Sequence, residues 1–198
     1  MLVAEAGGFD VVLVETVGVG QSETAVAEMT DMFILLLIPG GGDELQGIKR
    51  GIMERADLVL VNKCDGELAV TANRSAADFR NALRFLHRRS QHWEVPVQIC
   101  SALEPVGIDL AWDAVLRFRD VMTASGELAG NRATQAQAGL WSEMAENVVE
   151  SLKADPEIQQ RVTAIEKAVA SGQASPRVAA QALVDIFLKR RSRGGTGS

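Results

Sequence analysis

Four times in its first hundred residues the sequence enters a short, largely apolar stretch and stops it with a polar or glycine-rich turn. The stretches are residues 11–14, 32–38, 58–61 and 95–100. Runs of this length, bounded by turn residues, suit parallel strands covered on both faces, since a half-exposed strand would alternate apolar and polar side chains. Helix-compatible spacing follows each run. Residues 22–29 alternate small, polar and apolar side chains, and Asp43 can cap a helix through Ile48, Ile52 and Met53 to about residue 56. Residues 71–90 place Phe79, Ala82, Leu83 and Leu86 on one face, with Arg80, Arg84, Arg88 and Arg89 as a solvated basic face. Residues 108–125 do the same with Ile108, Ala111, Val115, Phe118 and Met122, and Gly126 is a natural helix stop. Strand, loop and helix repeated in this order predict an α/β fold with a doubly wound parallel sheet over residues 1–126. Ligands of such sheets lie beyond the carboxyl ends of the strands. The conspicuous polar motifs of this chain all fall there.

From residue 127 the pattern is helical only. A first helix to about residue 154 carries Leu140, Trp141, Met144, Val148, Val149 and Leu152. Asp155-Pro156 and Ser175-Pro176 each read as an N-cap followed by proline at the first helical position. The helices they open carry Ile158, Val162, Ile165 and Val169, then Val178, Ala182, Leu183, Ile186 and Phe187 as candidate buried positions. An all-helical arm over residues 127–190 could cap the sheet or mediate dimerisation, and the residues alone leave both open. Residues 191–198 end in Gly194-Gly195-Thr196-Gly197-Ser198 and read as a flexible tail.

Composition narrows the function classes. A net charge of −6 argues against a general nucleic-acid binder. The longest apolar run, residues 32–38, is far below the ~20 residues a membrane span needs. No basic segment precedes an apolar one near Met1, so no signal peptide is expected. The two cysteines, Cys64 and Cys100, suggest no disulfide framework and fit a reducing cytoplasm; both read as small packing residues. His87 and His92 lack the neighbours of a metal site and read as surface histidines. Trp93, Trp112 and Trp141 read as packing residues, with Trp141 a candidate interface anchor.

Four strand ends carry candidate chemistry. Residues 9–23, FDVVLVETVGVGQSE, drive an apolar run into Glu15 and then a turn with Gly18 and Gly20. An acid at a strand tip can hold Mg²⁺, directly or through water, and a glycine N–H can reach a terminal phosphate. Asn62-Lys63-Cys64-Asp65 at the end of the third run is an N-K-x-D loop. Its carboxylate can accept from guanine N1–H and the exocyclic amine, which adenine cannot supply, so the wrong base leaves buried polar groups unpaired. Asn62 can brace the loop and touch the base edge, and the Lys63 stem can lie over the purine. Ser101-Ala102-Leu103 follows the next run, where a backbone N–H can meet the guanine carbonyl. The loop at residues 39–49, PGGGDELQGIK, costs chain entropy unless it has a task; Asp43, Gln46 and Lys49 are its candidate sensors of nucleotide or partner.

Together ETVGVGQSE, GGDELQGIKRG, NKCD and the helical C-terminus resemble the MeaB/ArgK subfamily of P-loop GTPases, the methylmalonyl-CoA mutase-associated G-protein chaperones also described as lysine/arginine/ornithine transport-system kinases. The resemblance runs from Phe9 to about Arg190. It implies a homodimeric, GTP-hydrolysing chaperone of a cobalamin-dependent acyl-CoA mutase, using GTP/GDP and Mg²⁺. Carried over, Glu15 and Gly18 would be catalytic on the Mg²⁺ and γ-phosphate side, with Glu15 the metal-side acid. Asp43, Gln46 and Lys49 would form a switch loop, and Asn62, Lys63, Asp65, Ser101, Ala102 and Leu103 would hold the base. One departure is large. No G-x-x-x-x-G-K-[ST] occurs in the sequence, whereas the family places that P-loop and its strand upstream of residues 9–23. The chain therefore reads as an N-terminally truncated member with a partial sheet lacking the P-loop strand, the expected neighbour of residues 11–14. Such a chain would have little activity alone. The alternative is a non-catalytic helical module that dimerises or docks on a partner. A Rossmann-like enzyme has no G-x-G-x-x-G to support it.

Overall fold

The computed structural model describes residues 2–16, 22–40, 50–86 and 89–194. The chain forms two compact units, Met1–Gln135 and Ala136–Ser198. In the first, α1 (Leu2–Ala6) and α2 (Ser22–Met29) precede β1 (Ile34–Leu37). Next come α3 (Arg50–Met53), β2 (Leu58–Val61), a 3-10 turn (Gly66–Leu68), α4 (Ala69–Leu83), β3 (Val97–Ile99) and α5 (Ile108–Ala124). The division between units falls inside α6 (Glu127–Lys153), after which come α7 (Pro156–Ala170) and α8 (Pro176–Gly194).

The three strands form one parallel sheet in the order β1-β2-β3, with Ile34 opposite Leu58 and Val59 opposite Val97. The chain is thus α/β with a mainly helical C-terminal part. β2 is central, and Leu58, Val59 and Val61 are fully buried. One face of the sheet, through Leu37, Val59, Val61 and Val97, packs on Ala72, Ala76 and Phe79 of α4, with Ala27, Ile52 and Met53 completing the core. A smaller cluster joins Trp93 to Phe118 and Met122, the two rings meeting edge to face at 5.2 Å.

Asp57 ties the amino ends of the strands together. Its carboxylate accepts from Phe33 N–H at 2.9 Å and from the Arg89 guanidinium at 3.3 Å. Its own N–H donates to Phe33 O at 2.8 Å, and its carbonyl accepts from the Trp93 indole at 2.7 Å. Burial pushes the carboxyl up to about 6, against the opposing pull of Phe33 N–H and Arg89.

Several expectations are corrected. Residues 11–14 form no strand, and Val11, Leu13 and Val14 are exposed, Leu13 at 85%. A strand needs a neighbour to take up its N–H and C=O groups. β1 is an edge strand, and the P-loop strand expected beside residues 11–14 has no counterpart among the described residues. The same edge breaks the expectation of coverage on both faces: Ile34, Leu36 and Ile38 are exposed, Leu36 at 60%. α4 ends at Leu83 and not near residue 90. Its last turn tightens, with Arg84, Phe85 and Leu86 donating to the carbonyls of Asn81, Ala82 and Leu83 at 3.1–3.3 Å. The basic residues of that helix are not merely solvated, since Arg80 donates through Nε and Nη2 to Val97 O at 3.3 and 3.0 Å and Arg89 binds Asp57. Of the helix expected from Asp43, the described part is α3.

In the second unit the caps form as their sequences require. Asp155 accepts from Glu157 N–H at 2.9 Å and Ile158 N–H at 3.3 Å, with Pro156 at the first helical position. Gly172 at φ 75° closes α7, and Ser175 accepts from Val178 N–H at 3.3 Å to start α8. Ile158, Ala179 and Phe187 are buried, whereas Val178, expected inside, is exposed. Leu140, Trp141, Met144, Val148 and Val149 of α6 are exposed, Trp141 at 68%. Among the described residues no helix is long and apolar enough to cross a membrane.

Candidate functional site

Two loops leave the carboxyl ends of the neighbouring strands β2 and β3 and are stitched together as they go. Asn62 N–H donates to Leu37 O at 2.8 Å, Cys100 N–H to Val61 O at 2.9 Å, and Cys64 N–H to Cys100 O at 3.1 Å. The strand ladder therefore continues past the strand ends and fixes the height at which each polar side chain emerges.

Asn62 is the brace. Its Oδ1 accepts from Lys63 N–H at 2.8 Å and from Ala102 N–H at 3.3 Å, with the Cys100 thiol at 3.8 Å. Burial, then the neighbouring Cys64, hold the Cys100 thiol above its ordinary range, so it stays a protonated donor. With the side-chain oxygen turned inward, the Asn62 amide NH₂ is left for an acceptor outside the loop. Lys63 takes a left-handed conformation at φ 59°, which costs a non-glycine residue about 1–2 kcal/mol and carries its exposed side chain clear of the sheet.

Ser101 orients the acid. It is 0% exposed, and its Oγ accepts from Leu103 N–H at 3.2 Å and Glu104 N–H at 3.0 Å. A hydroxyl has two acceptor sites and one proton. With both acceptor sites filled, the proton goes to Asp65 Oδ1, where the structure places that hydrogen bond. Asp65 is thus held at one oxygen, and its carboxylate keeps further acceptor sites for a paired donor.

The second loop closes where Ser101 N–H donates to Val106 O at 3.0 Å. Gly107 then turns at φ 72° into α5, and a Cβ there would sit 2.4 Å from Ile99 O. Only glycine fits both conditions. Sequence reasoning passed over Gly107, although a glycine one residue before a helix was a usable signal; the close approach of Ile99 O was not visible.

The structure therefore brings Asn62, Lys63, Asp65, Ser101, Ala102 and Leu103 into two adjoining loops. Ala102 and Leu103 are exposed at the rim. Glu15 lies in an exposed, non-strand segment and joins no such network among the described residues. Gly18, Asp43, Gln46 and Lys49 lie outside the described residues. Among the described residues no group of three or more His, Cys, Asp or Glu side chains could hold a metal ion. The exposed His92 pairs with Glu127.

Residues 1–157 match the family model for the methylmalonyl-CoA mutase-associated GTPase MeaB. The chain is 50% identical over 190 residues to the mitochondrial methylmalonic aciduria type A homolog of Mus musculus, covering 96% of this chain and 46% of the mouse protein. It is 44% identical over 187 residues to the GTPase ArgK of Escherichia coli K12, covering 94% of this chain and 56% of ArgK. The solved structure of an LAO/AO transport system kinase superposes with a TM-score of 0.67 at 40% identity, covering 94% of this chain and 60% of that one. The chain spans about half the length of the curated relatives it matches.

Proposed function

The chain belongs to the MeaB family of methylmalonyl-CoA mutase-associated GTPases, and from that premise we propose that its paired strand-end loops are a guanine-recognition site. The observation that carries this reading is the Ser101 hydroxyl holding Asp65 at one carboxylate oxygen. Asp65 accepts from guanine N1–H and the 2-amino group. The Asn62 amide NH₂ reaches the purine N7 edge, and the raised Lys63 stem lies over the ring. Ala102 N–H, bonded at only 3.3 Å to Asn62, exchanges that bond for the guanine carbonyl oxygen, with Leu103 beside it. Adenine offers neither donor to Asp65 and turns its own amine toward Ala102 N–H, so discrimination of 10⁴-fold or more is the order expected of a site built on paired donors.

In this proposal GTP and GDP are the ligands of the whole family protein; beside a P-loop, Glu15 would hold Mg²⁺, which would supply charge neutralisation for the phosphates, and the Gly18 N–H would meet the γ-phosphate. The sequence holds no G-x-x-x-x-G-K-[ST], and on this reading the chain binds the base and turns over GTP little by itself. Asp43, Gln46 and Lys49 belong to the switch loop. Hydrolysis, chaperone action on a cobalamin-dependent acyl-CoA mutase and a cytoplasmic location are proposed for the full-length family protein. The two free thiols support a reducing compartment.

The direct test is a ¹⁵N-labelled chain titrated with GMP and with AMP. GMP should shift the amides of Asn62, Lys63, Asp65, Ala102 and Leu103 saturably, and AMP should not. Equal shifts with both nucleotides, or none with either, would remove the guanine reading.

A second reading is favoured by one observation. Leu140, Trp141, Met144 and Val148 make an exposed apolar stripe at helical spacing on α6, which suits a homodimer arm. Light scattering on the full chain should give a dimer mass that Trp141→Glu halves. A monomer at every concentration counts against the arm.

A further inference from the structure

At the amino ends of the strands, opposite the base loops, a cavity of about 500 Å³ opens beside α4 and the start of β3. Four arginines line it: Arg80, Arg84, Arg89 and Arg117. Among the described residues two carboxylates, Glu54 and Glu94, each with a partner, share the wall, in a chain whose net charge is −6. Like charges around one opening repel, and here they stand over a floor of Leu83, Leu86, Val95 and Pro96 with all four guanidiniums reaching solvent, which screens the repulsion. An anion entering the cavity reverses the sign of the effect.

Three of the arginines are held by partners that leave most of their donors unspent. Arg80 gives Nε and Nη2 to Val97 O, Arg89 gives Nη1 to Asp57, and Arg117 lies 6.0 Å from the centre of the Trp93 ring. A guanidinium has five N–H donors in a rigid fork suited to phosphate and carboxylate. Arg84 makes no side-chain hydrogen bond or ion pair among the described residues. The packing of the unit thus explains the position of three and gives the fourth no task.

We propose that this cavity is a second ligand site, separate from the base loops, that takes a small organic anion bearing at least two phosphate or carboxylate groups. The volume is in the range of small-molecule pockets. The apolar floor holds the body of the ligand, and the arginine forks hold its charged ends.

Calorimetric titration of the full chain at low ionic strength, with inorganic pyrophosphate and separately with citrate, tests this. Saturable one-to-one binding in either arm is expected, and the stronger arm names the charged group. Arg84→Glu should weaken it at least tenfold and Arg117→Lys by less, while Asp65→Asn leaves it unchanged. The Arg84 side chain has no described partner to lose, so its variant should keep the wild-type melting temperature, which is measured alongside. No saturable binding in either arm would overturn the proposal. So would an Arg84→Glu variant that folds and binds both probes like the wild type.

Discussion

The segment at residues 9–16 and the strand and loop at residues 58–65 are built from the same sequence idea, an apolar run followed by an acid. Their fates differ. Leu58 to Val61 lie between two parallel neighbours, and the ladder continues into Asn62, Cys64 and Cys100, so Asp65 is delivered to Ser101. Residues 11–14 have no described strand to pair with, and Val11, Leu13 and Val14 are exposed to solvent. The lesson is that a strand-tip acid is placed by its neighbours in the sheet and not by its own run. Backbone groups without a ladder turn to water, and the side chain they carry goes with them.

Deleting side-chain volume separates the two regions most sharply. Leu58→Ala empties a fully buried position and should cost about 3–4 kcal/mol, read by urea unfolding, whereas Leu13→Ala should stay within about 0.5 kcal/mol. Equal losses would mean that residues 11–14 pack after all. Backbone strain gives the next largest contrast. Gly107→Ala meets Ile99 O and a left-handed φ together and should cost about 3 kcal/mol along with GMP binding. Gly8→Ala has the same sign of φ but nothing within 4 Å, and should cost about 1 kcal/mol.

Asp57 tests the other end of the sheet. Its folded carboxyl is raised from 3.8 to about 6, so the folded state binds the proton more tightly than the unfolded state between those values. Stability from this group is present below pH 4 and is lost as pH rises to 6, by on the order of 2–3 kcal/mol. Calorimetry of Asp57→Asn against the wild type, at pH 4.5 and 7, should show that slope missing in the variant. Parallel pH profiles would contradict the assignment.

Where local chemistry decides, the sequence was readable. The run at residues 58–61, the Asn62-Lys63-Cys64-Asp65 loop and the caps at Asp155 and Ser175 all form as their own residues dictate. Non-local contacts were not readable. No glycine or proline marks the end of α4 at Leu83, and nothing near Arg80 signals that its guanidinium caps Val97 O. The need for glycine at position 107 comes from an Ile99 carbonyl that only the folded loop brings close. The exposed face of β1 likewise depends on what stands beside it, which four apolar residues cannot report.

The guanine site stands or falls on the pairing at Asp65. Asparagine there replaces one acceptor oxygen by a donor amide, which clashes with the guanine 2-amino group and suits the 2-carbonyl of xanthine. Amide-shift titrations of Asp65→Asn should show GMP affinity down about 100-fold, as expected when buried polar groups lose their partners, and XMP binding gained at Asn62, Ala102 and Leu103. GMP binding that survives the substitution, or a loss with no gain for XMP in a folded variant, would contradict the account.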